Sequence, residues 1–236
     1  MLNKSKLKKI LMFDEKELQK YLVSELANLG YEIACGAKNG SVFSYLYAKK
    51  HDSLPVLLVA HTDTVHDSKR EDLWYDDIDG AYMSWDGLGA DDRAGVYAIM
   101  SLIQRNTCDV LFTSFEEKGL LGAKKYIEDY PDNPKYHMLI QLDTSGSDVA
   151  KFYKNTAQDF QDYILSFGYR PGYGKGTDVK AIAPFWKVNA VNLSVGYYYA
   201  HKRNELLKIA HLEKAIYKVN KMLSQPIPNF KYRCEQ

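Results

Sequence analysis

The hydrophobic positions of the chain fall into short continuous runs and longer runs with a helical period. Residues 56–60 are Val-Leu-Leu-Val-Ala, a composition typical of a strand that is buried on both faces of its sheet. Similar segments predict further strands at 41–48, 108–115, 138–143 and 191–196. Strands of this type occur in parallel or mixed sheets that are covered by helices.

The segments around these strands have the period of amphipathic helices. Asp14 and Glu17 have the spacing of a capping box, and Gly30 supplies a stop signal after the apolar positions that follow them. Further helices are predicted at 92–104, 119–130, 156–167 and 206–223. This alternation predicts an α/β fold, a three-layer α/β/α sandwich with a central mixed, mostly parallel sheet. Because no linker, repeat or low-complexity segment divides the chain, we expect residues 1–236 to form a single domain.

Composition and charge exclude several classes of protein. A net charge of +1 argues against a partner recognised by bulk electrostatics, either a nucleic acid or a membrane surface. The apolar stretch after the basic N-terminus is too short for a signal peptide, and no run is long enough to span a membrane. Cys35, Cys108 and Cys234 show no C-x-x-C spacing, which indicates reduced thiols. We therefore expect a cytoplasmic protein.

Residue types that ligate metals follow several of the predicted elements. His61 and Asp63 come directly after the strand at 56–60, and in such sheets ligands gather at the carboxyl ends of strands. The other candidates in comparable positions are Asp91, Asp92, Glu116, Glu117, Asp143 and His201. Each has a plain structural explanation, since aspartates are common helix caps and glutamate pairs are usually solvated. Their occurrence at one element end after another nevertheless indicates a cleft in which carboxylates and imidazoles converge.

Such a set of side chains suits a pair of zinc ions, which accept imidazole nitrogen and carboxylate oxygen as ligands. Asp91, Glu117 and Asp143, together with one bridging hydroxide, would balance the charge of two Zn²⁺ ions. Without metal, so many neighbouring carboxylates would repel one another and their pKa values would rise. The sequence therefore predicts two Zn²⁺ ions, with Mn²⁺ or Co²⁺ as alternatives.

The motifs that carry these residues resemble those of a known superfamily. H-T-D-T-V, G-A-D-D-R-A-G, E-E-K-G-L-L-G-A, a strand-terminal Asp143 and A-H-K-x-N-E occur in the order found in the co-catalytic di-zinc exopeptidases. That superfamily includes peptidase T, the carboxypeptidase G2-type enzymes and the Aeromonas-type aminopeptidases. The resemblance runs from about residue 14 to residue 223, and it depends on five motifs in order rather than on one.

The resemblance implies a set of five metal ligands. His61 and Asp143 would hold one zinc ion. Glu117 and His201 would hold the second, and Asp91 would bridge the two ions. The family also has a cis peptide bond after the bridging aspartate, which here would lie between Asp91 and Asp92.

Catalytic roles are implied for two neighbours of these ligands. Glu116 would be the general base that activates a metal-bridging water for attack on the scissile carbonyl. Asp63 would accept the far N–H of the zinc-binding His61 and fix its tautomer. An exchange of roles, with Glu117 as the base and Glu116 as the ligand, is the less favoured alternative.

Several further positions have both a functional and a plain explanation. Thr177 and Asp178 resemble the family's Gly-Thr-Asp segment and would contact substrate, although a glycine-rich loop capped by Asp178 explains them equally well. Glu205 is expected either as a partner of the ligands or as a helix-start residue near the positive end of the dipole. Asp92 and Arg93 are expected to be a cap and a surface residue.

The spacing of the motifs leaves no room for the extra domains of many relatives. The segment between Asp143 and His201 is too short for the lid of the peptidase T and carboxypeptidase groups, and the segment between His61 and Asp91 is too short for another insertion. We therefore expect one catalytic domain, 1–236, without a lid or dimerisation insert, and a monomer. Lid residues that bind a substrate carboxylate in carboxypeptidase-type relatives have no expected counterpart.

The resemblance thus implies a zinc-dependent exopeptidase that cleaves the terminal amide bond of a small peptide, with an aminopeptidase as the leading expectation. An N-acyl amino acid amidohydrolase or carboxypeptidase on the same core is the alternative. A single-zinc acyltransferase of the glutaminyl-cyclase type and an inactive zinc-binding module for peptide capture are further alternatives. The expected partner is a small peptide or an N-acyl amino acid, with no nucleic acid and no membrane.

Overall fold

The computed structural model describes residues 2–66, 72–132, 135–154, 156–174 and 176–233. Cys35 is exposed and Cys108 is buried, and both are free thiols, whereas Cys234 lies outside the described residues. Among the described helices, none is long and apolar enough to cross a membrane.

The described residues form helices and strands in alternation along much of the chain. The helices are α1 (Lys4–Met12), α2 (Glu15–Asn28), α3 (Ala90–Leu102), α4 (Leu121–Asp129), α5 (Gln158–Leu165), α6 (Asp178–Trp186) and α7 (Ile209–Leu223). The first strands are β1 (Glu32–Cys35), β2 (Lys38–Asn39), β3 (Val42–Phe43), β4 (Tyr45–Lys49), β5 (Leu54–His61), β6 (Trp74–Asp76) and β7 (Ala81–Met83). The later strands are β8 (Cys108–Thr113), β9 (Met138–Thr144), β10 (Val149–Phe152), β11 (Arg170–Tyr173), β12 (Asn189–Ser194), β13 (Tyr197–Tyr198) and β14 (Leu206–Lys208).

An eight-stranded sheet forms the centre of the fold, with strand order β1-β4-β8-β5-β9-β12-β10-β11. Its middle strands β8, β5, β9 and β12 are parallel to one another. β4 and β10 flank this group in antiparallel orientation, which makes the sheet mixed. A smaller antiparallel sheet has the order β13-β14-β7-β6.

Helices cover both faces of the central sheet, and side chains along each buried strand alternate between two cores. In β5, Val56, Leu58 and Ala60 pack in the core that also contains apolar residues of α1, α2, α3, α5 and α7. Leu57 and Val59 pack on the other face with residues of α4 and α6. Burying each aliphatic side chain contributes about 2 kcal/mol, so the strand that ends at His61 is firmly held. The predicted three-layer α/β/α fold is confirmed.

The register of the parallel strands brings their carboxyl ends to one edge. His61 at the end of β5 lies opposite Thr113 at the end of β8. Thr144 at the end of β9 lies opposite Ser194 at the end of β12. The residues that follow these strands therefore start from neighbouring points on the same side of the sheet.

Most predicted elements occur, and the capping box is present. The Asp14 side chain accepts the backbone N–H of Glu17 at 2.7 Å, and the Glu17 side chain accepts the N–H of Asp14 at 3.2 Å. The predicted helix at 206–223 is wrong at its start, because residues 206–208 form strand β14 and pair with β7. Leu206 and Leu207 are buried in that pairing, and the helix begins only at Ile209.

Candidate active site

The carboxylate of Asp91 lies between the two histidines of the predicted cluster. Its Oδ1 is 3.2 Å from Nε2 of His61, and its Oδ2 is 3.2 Å from Nε2 of His201. The peptide bond between Asp91 and Asp92 is cis, as the resemblance implied. Asp91 therefore occupies the position between two imidazoles that a bridging ligand requires.

Glu205 holds the backbone on which Asp91 is placed. Its carboxylate is fully buried and accepts the N–H of Asp91 at 2.9 Å and the N–H of Gly89 at 2.6 Å. Gly89 has a positive φ of 67°, a conformation that favours glycine, directly before α3. Of the two expectations for Glu205, the structure supports a contact with the ligand segment.

His61 is buried at the end of β5. One of its ring nitrogens faces Asp91 and Asp143, and the other faces Asp63. Nε2 lies 3.2 Å from Oδ1 of Asp91 and 3.7 Å from Oδ1 of Asp143. Nδ1 lies 3.0 Å from the backbone carbonyl oxygen of Asp63 and 3.3 Å from its Oδ1. The Nδ1 side of the ring is thus occupied by Asp63, and Nε2 faces the acidic cluster.

Asp63 also fixes the loop that carries the two glutamates. Its Oδ1 accepts the backbone N–H of Glu116 at 3.1 Å, and its Oδ2 accepts the N–H of Glu117 at 3.2 Å. These hydrogen bonds connect the loop after β5 to the loop after β8. Asp63 therefore positions both glutamate backbones as well as the ring of His61.

The two glutamates have different surroundings. Oε1 of Glu117 lies 2.6 Å from Nε2 of His201. Within the described part of the chain, the carboxylate of Glu116 has no hydrogen-bonded or ion-paired partner, and it lines the cavity. Burial raises the pKa of Glu116 to about 8, against the opposing attraction of His61. Glu117 thus contacts His201, whereas the carboxylate of Glu116 faces the cavity.

Asp143 is held by a group of polar side chains, of which sequence analysis had identified only Thr177, and that one as a substrate contact. The amide of Asn192 donates to the Asp143 backbone oxygen at 2.9 Å and to Oδ2 at 3.3 Å. Gln141 and Thr177 donate to the same Oδ2, at 3.1 Å and 3.2 Å, and the hydroxyl of Tyr197 donates to Oδ1 at 3.2 Å. Burial raises the pKa of Asp143, and the neighbouring negative charge of Asp91 raises it further.

The histidines compensate part of this negative charge. Burial opposes ionisation of Asp91, but hydrogen bonds from His201 and His61 outweigh burial and lower the pKa of Asp91. The hydrogen bond with Asp91, together with the charge of Glu117, raises the pKa of His201 to about 9. Burial would lower the pKa of His61, yet its aspartate partners, Asp143 first, raise it well above its usual value. The cluster therefore favours positive charge at its centre.

The donor set fits metal ions. Ligand atoms of His61, Asp91 and Asp143 lie within 4.8 Å of one another, and so do those of Asp91, Glu117 and His201. A third group combines His61 with both glutamates. Imidazole nitrogen and carboxylate oxygen are the ligands that zinc accepts, and the cations would supply the positive charge that the cluster favours. The two groups that share Asp91 correspond to the two predicted metal positions.

Thr177 and Asp178 lie behind this cluster, at the start of α6 rather than in a loop. Thr177 is 1% exposed, and its hydroxyl donates to Asp143. Asp178 is fully buried, and its Oδ2 accepts the hydroxyl of Thr113 at 2.7 Å. Burial raises the pKa of Asp178 to about 7. Their predicted contact with substrate stays a prediction, and their described contacts are with other parts of the site.

Asp92 and Arg93 are both buried. Asp92 accepts the N–H of Gly95 at 2.9 Å, as expected of a cap. The expectation that Arg93 is a surface residue is wrong, because its guanidinium donates to the backbone carbonyls of Ile10 and Phe13. Arg93 thereby joins the start of α3 to the end of α1.

A cavity of about 600 Å³ opens onto the cluster. It is lined by the proposed ligands, by Glu116, by Gly174 and Gly176 of the segment that resembles the family's Gly-Thr-Asp, and by residues that sequence analysis did not select, among them Ser145, Lys151, Tyr153, Asn192 and Tyr197. Of these, Lys151 belongs to β10 and Asn192 to β12. The volume is in the range of small-molecule sites.

Comparisons with known proteins agree with this geometry. The model of Peptidase family M28 matches residues 42–179, which is more than half of the chain. No curated protein matches the sequence.

Solved structures with a similar fold include the aminopeptidase PepT from Bacillus cereus ATCC 10987, with a TM-score of 0.75 and 16% identity, covering 94% of this chain and 98% of that one. A tripeptidase from Staphylococcus aureus matches with a TM-score of 0.73 and 17% identity, with the same coverage of 94% and 98%. The TET aminopeptidase from Thaumarchaeota archaeon SCGC AB-539-E09 has a TM-score of 0.67 and 14% identity, covering 94% of this chain and 96% of that one. At such low identity these matches show the fold.

Proposed function

The chain belongs to Peptidase family M28 and to the superfamily of co-catalytic zinc exopeptidases, and from that premise we propose that it removes the N-terminal residue from short peptides. Membership makes it a metallo-exopeptidase that depends on zinc. The observation that supports the proposed reaction is the pair of ligand groups that share Asp91, with Glu116 beside them in the same cavity. Residues 1–236 are proposed to act as one catalytic domain without a lid, and as a monomer.

We assign the metal ligands from the two groups. His61 and Asp143 would hold one ion. Glu117 and His201 would hold the other, with Asp91 between them. Bound zinc supplies Lewis acidity, which polarises the scissile carbonyl and lowers the pKa of water. Two Zn²⁺ ions are proposed, and Mn²⁺ or Co²⁺ would suit the same oxygen and nitrogen donors.

Glu116 is proposed as the general base and then the general acid. Its carboxylate takes a proton from the attacking water and later gives it to the leaving amine. The backbone N–H of Glu116 is held by Asp63, so its side chain starts from a fixed point at the cavity. The short contact between Glu117 and His201 supports Glu117 as ligand rather than base.

A carboxypeptidase or N-acyl amino acid amidohydrolase is the second candidate, and one observation favours it. The described residues that line the cavity include a lysine, Lys151, and a cation there would attract a substrate carboxylate. The carboxylates among the described residues of the cavity wall, by contrast, all have proposed roles in metal binding or proton transfer. The position of the substrate amine therefore decides between the two candidates.

The test is hydrolysis of one tripeptide series by protein loaded with zinc, manganese or cobalt. The series contains the free peptide, its N-acetyl derivative and the corresponding N-acetyl amino acid. An aminopeptidase cleaves the free peptide at its first bond and spares the N-acetyl forms. Cleavage of the N-acetyl forms favours the second candidate.

Metal analysis in the same samples addresses the remaining alternatives. One bound equivalent with acyl transfer to the substrate's own amine would indicate a single-zinc enzyme of the glutaminyl-cyclase type. Tight binding of zinc and peptide without turnover of any substrate would indicate a peptide-capture module. Either result would overturn the proposed reaction.

A further inference from the structure

Lys151 is a cation on the wall of the candidate active-site cavity. It belongs to β10 and is half-buried. Within the described ranges, no carboxylate forms an ion pair or hydrogen bond with its ammonium group. Half-buried lysines are normally paired or extend into solvent. A lysine on a cavity wall without a described carboxylate partner is instead available to an anionic ligand.

The sheet register places Lys151 beside the proposed metal ligands. Lys151 lies directly opposite Asn192 in the antiparallel pair of β10 and β12. Side chains of such cross-strand partners project from the same face of the sheet, about 5 Å apart at their Cβ atoms. The amide of Asn192 reaches Oδ2 of Asp143 at 3.3 Å. Lys151 therefore leaves the sheet next to the residue that contacts the ligand Asp143.

One glycine makes room for the stem of this lysine, and a second lies alongside it. A Cβ atom at Gly174 would lie 2.8 Å from Cδ of Lys151, which is too close for a side chain there. Gly172 pairs with Lys151 across β10 and β11, and a Cβ there would lie 3.6 Å from its Cγ. Packing against backbone on this side restricts the stem, so less rotamer entropy is lost when the ammonium group binds a partner.

We propose that Lys151 binds the free carboxylate of a small amide substrate and so makes the enzyme selective for short peptides or N-acyl amino acids with an unblocked C-terminus. This inference rests on the proposed function, in which Asp91, Glu116, Glu117 and Asp143 are used for metal binding and proton transfer. The charge that remains on the described wall for substrate recognition is then positive. A cavity of about 600 Å³ accommodates a ligand of this size. Lys151 would thus supply, from the catalytic domain, the carboxylate contact that lids provide in carboxypeptidase-type relatives.

The first measurement compares matched substrates in the zinc-loaded enzyme. Trialanine and trialanine amide differ only in the C-terminal charge, and N-acetylalanine and its amide provide the same comparison without a free amine. We expect wild type to prefer the free carboxylate by roughly 10- to 100-fold in kcat/KM, mainly through KM, because a charge-assisted hydrogen bond is lost in the amide. Lys151→Met should remove this preference, Lys151→Arg should keep most of it, and Lys180→Met, at an exposed position of α6, should leave it unchanged.

The second measurement is independent of turnover. Calorimetry with Glu116→Gln as the common background compares binding of trialanine and trialanine amide, with and without Lys151→Met. A carboxylate preference in binding that disappears with Lys151→Met supports the proposal. Equal binding of the acid and the amide to the Glu116→Gln protein, or a preference that survives Lys151→Met, overturns it.

Failure of the proposed function and failure of the role of Lys151 give different results. If wild type hydrolyses peptides but treats acids and amides alike, the role of Lys151 is wrong and the proposed function stands. If wild type hydrolyses no member of either series, the proposed function is wrong, and calorimetry still decides whether Lys151 recognises a carboxylate. A parallel loss of kcat on acids and amides in Lys151→Met would indicate a structural role and contradict the inference.

Discussion

The carboxylate of Glu205 accepts the backbone N–H of Asp91 at 2.9 Å, from a side chain with no solvent exposure. The bond fixes the proposed bridging ligand through its main chain rather than through its carboxylate. Because the donor is a backbone group, the contact leaves both Asp91 oxygens for the two histidines. The geometry between the proposed metal positions therefore depends on a residue outside the ligand set.

Replacing Glu205 should accordingly weaken metal binding. In Glu205→Gln the amide nitrogen cannot accept an N–H, so one of the two bonds to Gly89 and Asp91 is lost. We expect zinc affinity to fall about 10- to 100-fold, as is typical for residues that orient ligands. Competition with a zinc chelator measures this change. Glu128→Gln, at an exposed position of α4, is the matched control, and equal affinity in both variants would show that Glu205 does not position the site.

The hydrogen bonds of Thr177 give it a role in positioning Asp143, which can be tested against its predicted contact with substrate. Its hydroxyl donates to Asp143 and accepts from Asn192, at 3.2 Å each. Thr177→Val keeps the shape but removes these bonds, so we expect a loss of about 1–2 kcal/mol in the free energy of unfolding and weaker zinc binding. The KM of the metal-saturated variant should stay close to that of wild type. An increase in KM alone, with unchanged stability, would instead support a contact between Thr177 and substrate. Thr107→Val, at a half-exposed position, controls for the loss of a threonine hydroxyl.

A pH-dependent contribution to stability is expected at Asp148, which is not among the proposed metal ligands. Asp148 lies 2.8 Å from the ammonium group of Lys214 and 2.6 Å from that of Lys218. Burial alone would raise its pKa, but the hydrogen bonds from both lysines outweigh burial and lower the pKa of Asp148. Because the folded-state pKa lies below the unfolded value of about 3.9, the contribution is present at neutral pH and is lost as the pH falls below 4, roughly.

Asp148→Asn measures this contribution. The ion pairs are partly exposed, so we expect a loss of about 1 kcal/mol or less at pH 7. The difference from wild type should shrink in urea unfolding curves as the pH falls from about 5 toward about 3. Asp162→Asn, on the exposed face of α5, should show no such pH dependence. A difference that grows on acidification would reverse the sign of the argument.

The sequence was sufficient to predict the residues at the ends of the buried parallel strands. His61, Glu117 and Asp143 follow continuous apolar runs, and such strands place their carboxyl ends at one edge whatever the rest of the fold does. Asp91 and His201 were also candidates by position, but neither directly follows one of those strands, and the resemblance of their motifs supplied their roles. The structure brings these residues together, and their roles as ligands stay predictions.

Other parts of the site depend on contacts that local pattern does not encode. Lys151 lies in a four-residue strand whose position is set by pairing with β11 and β12. Helix α6 follows a glycine-rich segment and contains Pro184, two signals that usually indicate a loop. Its start is stabilised instead by buried partners such as Gln141, whose side chain accepts the N–H of Val179 at 3.0 Å. Arg93 was expected on the surface because its partners are backbone carbonyls far away in the sequence, those of α1 and the residue after it. Local pattern gives no sign of such a contact.

One paired measurement tests the division of roles between Glu116 and Glu117. Bound zinc and peptide hydrolysis are determined in Glu116→Gln and Glu117→Gln, prepared in the same way as wild type. We predict that Glu116→Gln retains the full metal content but loses activity by about 100- to 10,000-fold, whereas Glu117→Gln loses one of the two zinc equivalents. A Glu116→Gln protein that loses zinc, beside a Glu117→Gln protein that keeps all of its metal, would contradict the account.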